Sequence, residues 1–243
     1  MFGEQSRYSD KVVFSEQTKY QKITLTKSKH NYILYLNNSM QLNTMDEWLY
    51  HEPLVHVPML LNSGKKNILI LGGGDGCAIR EVLKHQEVES VKIIDLDPGM
   101  TNFGAQNAIF KELNRGAYQN SKVTVQNGDA FIALEDDSSY YDLIIIDFPD
   151  PRSIELSRLY TKEMYRFCKK RLKQDGVIIT QATSPYYQAK SFYCINKTME
   201  AAGLNTLQIH NHVQSFGEWG WIVGSQLYDK NQMIEKLSSI KEL

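Results

Sequence analysis

At 243 residues the chain is long enough to bury a sizeable core, in one large domain or one domain with a small appendage. A net charge of −1 excludes the basic footprint of a nucleic-acid binder and the acidic tail of a solvating segment. Three cysteines at unrelated spacings, an opening (Met-Phe-Gly-Glu-Gln-Ser-Arg) without an apolar signal core, and the lack of an apolar run long enough to cross a membrane predict a cytoplasmic protein with reduced thiols, no metal and no membrane partner.

The first sixty residues are short β-rich runs at 11–15, 20–26 and 32–36, separated by polar turns at 27–31 and 37–39. They predict a small antiparallel sheet. A helix follows: Thr44 and Glu47 have capping-box spacing ahead of Trp48, Tyr50, Leu54 and Val55, and Pro53 and Pro58 are expected to limit or kink it. From residue 66 strands (67–71, 91–95, 122–126, 142–148, 177–181, 206–210, 219–224) alternate with helices (77–85, 99–113, 130–135, 161–173, 187–202, 230–240). Near-continuous apolar strands such as Leu-Ile-Ile-Ile at 143–146 argue for a doubly wound parallel sheet with helices on both faces. The last two strands have little between them and predict a hairpin at one edge. The expected division is 1–60, a β-rich part with a junction helix, and 61–243, a doubly wound α/β domain.

In such a sheet ligands sit beyond the carboxyl ends of the strands, so the residues at each strand end are the candidates. The first strand breaks into Gly72, Gly73, Gly74, Asp75 and Gly76 directly before a helical pattern. Glycines there let backbone come close to a ligand, but a phosphate cradle keeps carboxylates away. Asp75 therefore suits a cationic ligand, an amine or a sulfonium; the plainer reading makes it a helix N-cap. The second strand ends at Asp95, twenty-three residues after Gly72, the spacing at which an acid meets ribose hydroxyls. Asp97, out of strand phase, is assigned to the following cap. The third ends at Gly128, Asp129 and Ala130, where Asp129 suits an adenine amino group or, almost equally well, a cap. The fourth ends in Asp147, Phe148, Pro149, Asp150 and Pro151: two acids on a stiff loop suit a general base or a diamine.

Two further segments stand out. Tyr50, His51 and Glu52 lie at the junction of the two parts, where a cleft would form, although ordinary packing accounts for them equally well. Residues 215–221 (Ser-Phe-Gly-Glu-Trp-Gly-Trp) read either as an edge hairpin or as a wall around an alkyl diamine, with Trp219 lining it and Glu218 pairing an ammonium.

These residues resemble the polyamine aminopropyltransferase family, of which spermidine synthase is the best-known type. The family pattern of a Tyr-Gln opening, Asp-Glu-x-x-Tyr-His-Glu, Gly-Gly-Gly-Asp-Gly, Gly-Asp-Ala and Asp-x-x-Asp-Pro is similar to Tyr20-Gln21, residues 46–52, 72–76, 128–130 and 147–151 here, in the same order over roughly residues 19–224. The resemblance implies a class I methyltransferase-type Rossmann domain behind a small N-terminal antiparallel β domain. It also implies transfer of an aminopropyl group from decarboxylated S-adenosylmethionine, a co-substrate, to putrescine. By position it implies Asp150 as general base and Asp75 as partner of the donor amine. It places Gln21, His51, Gly72, Gly74, Asp95, Asp129 and Ala130 around the donor, and Tyr50 and Asp147 on the diamine. A homo-dimer or homo-tetramer is the expected assembly.

Three departures are visible. Asp95 stands where the family often has glutamate, the Gly-Pro-Ala that often follows Asp-Pro is replaced from Arg152 onward, and the late Tyr-Pro-Ser-Gly is replaced by residues 214–217 (Gln-Ser-Phe-Gly). The last two are similar to a branch in which this domain is sometimes fused to membrane helices, and they bear on the acceptor, which agmatine, cadaverine or spermidine would also fit. A methyltransferase using intact S-adenosylmethionine is the rival enzyme; a non-catalytic binder of nucleoside or polyamine ranks last, because both loop acids are present. Asp75 separates the two enzymes, since it would face the carboxylate of the intact donor. Unit charges about 4 Å apart at an effective dielectric near 20 interact by ~4 kcal/mol, close to a thousandfold.

Overall fold

The computed structural model describes residues 2–62 and 64–239. Its strands form two sheets among the described residues. A short helix α1 (Phe2–Gln5) precedes an antiparallel meander of β1 (Lys11–Gln17), β2 (Lys22–Lys27), β3 (Tyr32–Leu36) and β4 (Ser39–Asn43). The fourth strand was not expected. Asn37 and Asn38 both take positive φ (49° and 65°), the two-residue turn whose twist matches a hairpin, so the chain folds straight back and Leu36 pairs Ser39.

Helix α2 (Trp48–Leu61) then runs unbroken through Pro53 and Pro58. Proline at 53 cannot donate to the carbonyl of Leu49; Asn211 Nδ2 takes that carbonyl instead, at 2.9 Å. The capping box is not formed. Thr44 Oγ1 accepts from the Tyr32 N–H, and Glu47 is already helical (φ −58°, ψ −28°) with its carboxylate turned inward.

The larger part alternates as β5 (Asn67–Gly72), α3 (Cys77–Val82), β6 (Ser90–Asp95), α4 (Pro98–Gln106), α5 (Ala108–Leu113), β7 (Val123–Asn127), α6 (Ala130–Asp136), β8 (Tyr141–Asp147), α7 (Ile154–Ser157), α8 (Lys162–Arg171), β9 (Leu172–Gln181), α9 (Ala189–Ala201), β10 (Asn205–Val213), β11 (Gly217–Ser225) and α10 (Lys230–Ser238). Of the final helix expected at 230–240, residue 240 lies outside the described residues. The single helix expected over 99–113 breaks at Asn107, whose extended backbone and side-chain oxygen cap α5 through the Ile109 and Phe110 N–H groups.

The sheet order is β10-β11-β9-β8-β5-β6-β7. Strands β5 to β9 are parallel, while β11 runs antiparallel between β9 and β10. Alternate residues face opposite helix layers. Ile68, Ile70, Leu143 and Ile145 pack with α2, α3 and α10; Leu69, Leu71, Ile144 and Ile146 pack with α6, α8 and α9. Helix α2, grouped with the N-terminal part in the sequence reading, therefore buries its apolar side in the core of the larger sheet. The small sheet seats Ile23, Leu25, Leu34 and Leu42 on Phe103 of α4 and Phe110 of α5. Chain connections leave β5 and β8 toward opposite faces, which opens a crevice between their carboxyl ends, the usual ligand position in such sheets.

Candidate active site

The turn after β5 and the loop after β8 flank that crevice, with Gly72 in register with Asp147. Gly72 and Gly73 take φ of +81° and +67°. A methyl group on Gly72 would sit 2.3 Å from the Asp147 carbonyl oxygen, and one on Gly74 would sit 2.7 Å from Asp95 Oδ2. The glycines thus let two neighbouring strand ends bring their acids against the turn. Tyr118 OH donates to the Gly74 carbonyl and Asn114 Nδ2 to that of Asp75, bracing the turn from behind. Asp75 Oδ1 accepts from the Cys77 N–H at 2.7 Å, but Gly76 is the N-cap of α3, so Asp75 braces the turn from one residue before the cap and the plainer capping role is not taken by it.

Burial pushes Asp147 up to about 6, with the charge of Asp75 adding to it; the opposite charge of His51 and a 2.5 Å hydrogen bond from Tyr50 OH work against that rise. The Tyr50 hydroxyl is itself pushed well above its ordinary value, by burial first and then by Asp147. Its ring packs against Trp219 and Trp221, with centroids 6.3 and 5.4 Å away. Asp46, at the foot of α2, ties this aromatic hairpin down by accepting from Ser215 N and Oγ at 2.6 and 2.9 Å. Asp150 is buried on the loop that follows Asp147. Its Oδ1 accepts from Gln181 Nε2 at 3.3 Å and its Oδ2 pairs with Arg152 Nη2 at 3.0 Å. Arg152 also reaches Ser39 of the small sheet.

His51 lies deeper. Its Nδ1 is 2.7 Å from Glu47 Oε2, and its Nε2 is 3.9 Å from Asp75 Oδ1. Burial alone would lower the imidazole, but the hydrogen bond to Glu47 and the charges of Asp75, Glu47 and Asp147 raise it to about 9. His51, Asp75 and Asp147 offer ligand atoms within 4.8 Å of one another, as do Glu47, His51 and Cys77; these are the residues able to hold a metal ion among those described.

On the other side of β5, Asp95 is pushed up to about 6 by burial and by the charges of Asp97 and Asp75, against backbone hydrogen bonds from Asp97 and Gly74. Asp97 caps α4 at Gly99, as expected, and accepts from Thr18 Oγ1 and from Gln21 Nε2 at 2.9 Å. Gln21 is thereby tied to the cap next to Asp95. Asp129 caps α6 through Phe131 N and lies 3.4 Å from Arg158 Nη1, while Ala130 is buried as the first residue of that helix. Glu218 does not join the other candidates. It faces away from Trp219 along β11, and its oxygens meet His210 and His212 of β10 at 3.0 and 3.1 Å on the exposed face. The expectation of an ammonium partner there is corrected: strand alternation allows either Trp219 or Glu218 to face the crevice, and the aromatic packing with Tyr50 selects Trp219.

The family model described as "Spermine/spermidine synthase domain" matches residues 47–235. The chain belongs to the spermine/spermidine synthase domain family. Polyamine aminopropyltransferases of Leptospira interrogans and Oceanobacillus iheyensis are both 44% identical to it, over 93% and 92% of this chain. They are longer proteins, of which the match covers 45% and 44%, so the chain spans a little under half the length of these curated relatives. Among solved structures, spermidine synthase from Thermotoga maritima superposes with a TM-score of 0.84 at 26% identity, over 96% of this chain and 79% of that one. A spermidine synthase in complex with the transition state analogue AdoDATO gives 0.86 at 26% identity, over 96% and 80%.

This member of the family places several site side chains that the sequence reading missed. Gln181, at the carboxyl end of β9, donates to the Phe148 carbonyl and to Asp150, and Tyr160 OH donates to the Phe148 and Pro149 carbonyls. Together they hold the loop that carries both acids. Inspecting the fifth strand end as closely as the first four would have found Gln181; Tyr160 carries no comparable signal. Glu47, the partner of His51, and Arg80, which grips Glu47, needed the packing of α2 on α3.

Proposed function

We propose that this chain transfers the aminopropyl group of decarboxylated S-adenosylmethionine to putrescine, giving spermidine and methylthioadenosine, with Asp150 as general base. The observation that carries the reading is the convergence of Asp75 and Asp147 on one glycine turn, an acidic crevice suited to cations where a phosphate site would hold none. The solved relative complexed with a transition state analogue supports the same reaction class.

In this reading the donor lies across the end of β5. Asp95 takes the ribose, Asp129 the adenine and Asp75 the ammonium, with Gly72, Gly74 and Ala130 lending backbone and Gln21 and His51 closing the pocket. The acceptor lies along Tyr50 and Trp219 with Asp147 beside its reacting end. A primary amine with a pKa near that of lysine, about 10.4, arrives protonated. Asp150 takes that proton, the nitrogen lone pair attacks the methylene carbon next to sulfur, and the carbon–sulfur bond breaks with its electron pair going to the sulfonium. Positioning supplies much of the acceleration.

The test incubates the purified chain with decarboxylated or intact donor against putrescine, cadaverine, agmatine and spermidine. The expected result is methylthioadenosine and spermidine, from the decarboxylated donor and putrescine. Methyl transfer from the intact donor would replace the reading by its rival, and equal turnover of every amine would remove putrescine as the selected acceptor.

A further inference from the structure

Both oxygens of Asp150 are occupied by the chain's own donors. Oδ1 accepts from Gln181 Nε2 at 3.3 Å and Oδ2 from Arg152 Nη2 at 3.0 Å. The two donors are held with different firmness. Gln181 is buried, and its Nε2 also meets the Phe148 carbonyl at 2.8 Å and the Tyr160 hydroxyl at 2.6 Å. The Arg152 side chain is 60% exposed, whereas that of Asp150 is 7% exposed. A second hydrogen bond, from Arg152 Nη1 to Ser39 Oγ, is long at 3.3 Å. The backbone sets the pairing up: the Arg152 N–H donates to the Asp150 carbonyl at 2.7 Å, a tight turn through Pro151 that brings the guanidinium beside the carboxylate. Arg152 also opens the stretch in which the sequence departs from the family pattern after Asp-Pro.

We infer that Arg152 is an internal cation that covers the proton-accepting oxygen of Asp150, Oδ2, and is displaced by the ammonium of the acceptor, so that it helps to set which acceptors bind and how tightly. The inference rests on the proposed reading of Asp150 as general base. A guanidinium stays protonated and has no lone pair to relay a proton, so it has to leave before Oδ2 can act. An ammonium carries the same charge and competes for the same oxygen; a neutral ligand has no charge to offer in exchange. Oδ1 is not the alternative, because freeing it means pulling Gln181 out of the contacts that hold the Phe148 carbonyl and Tyr160. As the acceptor arrives, Arg152 turns to water and the ammonium donates to Oδ2. The proton passes to that oxygen, the nitrogen lone pair forms the bond to carbon, and the carbon–sulfur pair goes to sulfur. The carboxyl then gives the proton to water and Arg152 returns.

The experiment measures kcat and KM for putrescine at saturating decarboxylated donor, in the whole chain and in Arg152→Gln, Arg152→Lys and Arg158→Gln. Arg152→Gln should lower the acceptor KM by about two- to fivefold, the size of a partly exposed ion pair, with kcat within ~twofold. Arg152→Lys keeps a cation and should stay within about twofold of the unsubstituted KM. Arg158→Gln alters the same segment, but its guanidinium lies 3.4 Å from Asp129, so the acceptor KM should not move. A fall in kcat at unchanged KM in Arg152→Gln would make the arginine a support of the base rather than its cover. An equal fall in KM in Arg158→Gln would trace the effect to the loop as a whole. Either result overturns the inference, as do unchanged kinetics in Arg152→Gln. The same exchange is read without turnover by nitrogen-15 NMR of the Arg152 guanidinium, assigned by its loss in Arg152→Gln. Adding putrescine with methylthioadenosine should move that signal toward the position of a free arginine. A signal that moves in a chain that makes no product leaves the displacement standing and removes the proposed reaction; product formed while the signal stays in place does the reverse.

Discussion

Replacing Tyr50 by phenylalanine removes one hydroxyl and leaves the ring against Trp219 and Trp221, so its effect falls on Asp147. The lost contact is a short hydrogen bond to a charged acceptor, worth about 1.5–3 kcal/mol. At about 1.4 kcal/mol per pKa unit, the Asp147 carboxyl should rise by roughly one to two units. Starting from about 6, it would then titrate at roughly 7–8. The sign follows from the hydrogen bond, which favours the ionised form: its loss favours protonation, and acceptor binding that needs the anion is lost as pH falls through the raised value. The assay is kcat/KM for the diamine from pH 5.5 to 9.5 with saturating donor, alongside donor affinity measured by calorimetry. Tyr50→Phe should shift the acid limb upward by about one to two units, with donor affinity unchanged. An acid limb that stays where it was would refute both the ionisation of Asp147 and its place on the acceptor.

Three further outcomes are expected. Asp150→Asn should lower kcat by roughly two to four orders of magnitude while calorimetric donor affinity holds, and near-normal turnover would hand the proton to water or Asp147. Asp75→Asn should weaken the decarboxylated donor and narrow a preference of about a thousandfold over the intact one; equal shifts for both donors would end the charge-selection reasoning. Glu218→Gln should leave the acceptor KM unchanged, because its carboxylate belongs to the His210 and His212 face; a tenfold rise would bring it back into the site.

The larger sheet was legible because strands buried on both faces must be apolar at nearly every position, as residues 143–146 are. Strand β4 was not, because five residues behind an Asn-Asn turn carry too short a pattern and a bulge breaks its alternation, setting Met40 opposite Tyr35 and Leu42 opposite Leu34. The break at Asn107 hid inside a helical period, and the prolines of α2 misled because Asn211, 162 residues away in sequence, satisfies the carbonyl that Pro53 frees. In the site, acids at strand ends were visible once the sheet was, since the fold fixes where those ends point. Partners recruited by packing were not: Glu47 has the sequence spacing of a cap, and only the approach of Arg80 from α3 turns it toward His51. Residue 218 shows the limit of pattern alone, since adjacent strand positions differ by a whole face.

The wedged position of β11 has a consequence for how the chain reaches its final form. During synthesis β9 and β10 emerge first, yet they are not neighbours; the strand that belongs between them comes last of the three. Until it arrives, the flank of β9 (Val177, Ile178, Ile179) is an unpaired apolar edge of the kind that recruits strands from other molecules. Contact-order reasoning expects the local β10–β11 hairpin to form before it docks onto β9, since docking closes a longer stretch of chain. Trp219 and Trp221 ride on the same strand, so the aromatic wall beside Tyr50 is completed only when the sheet is.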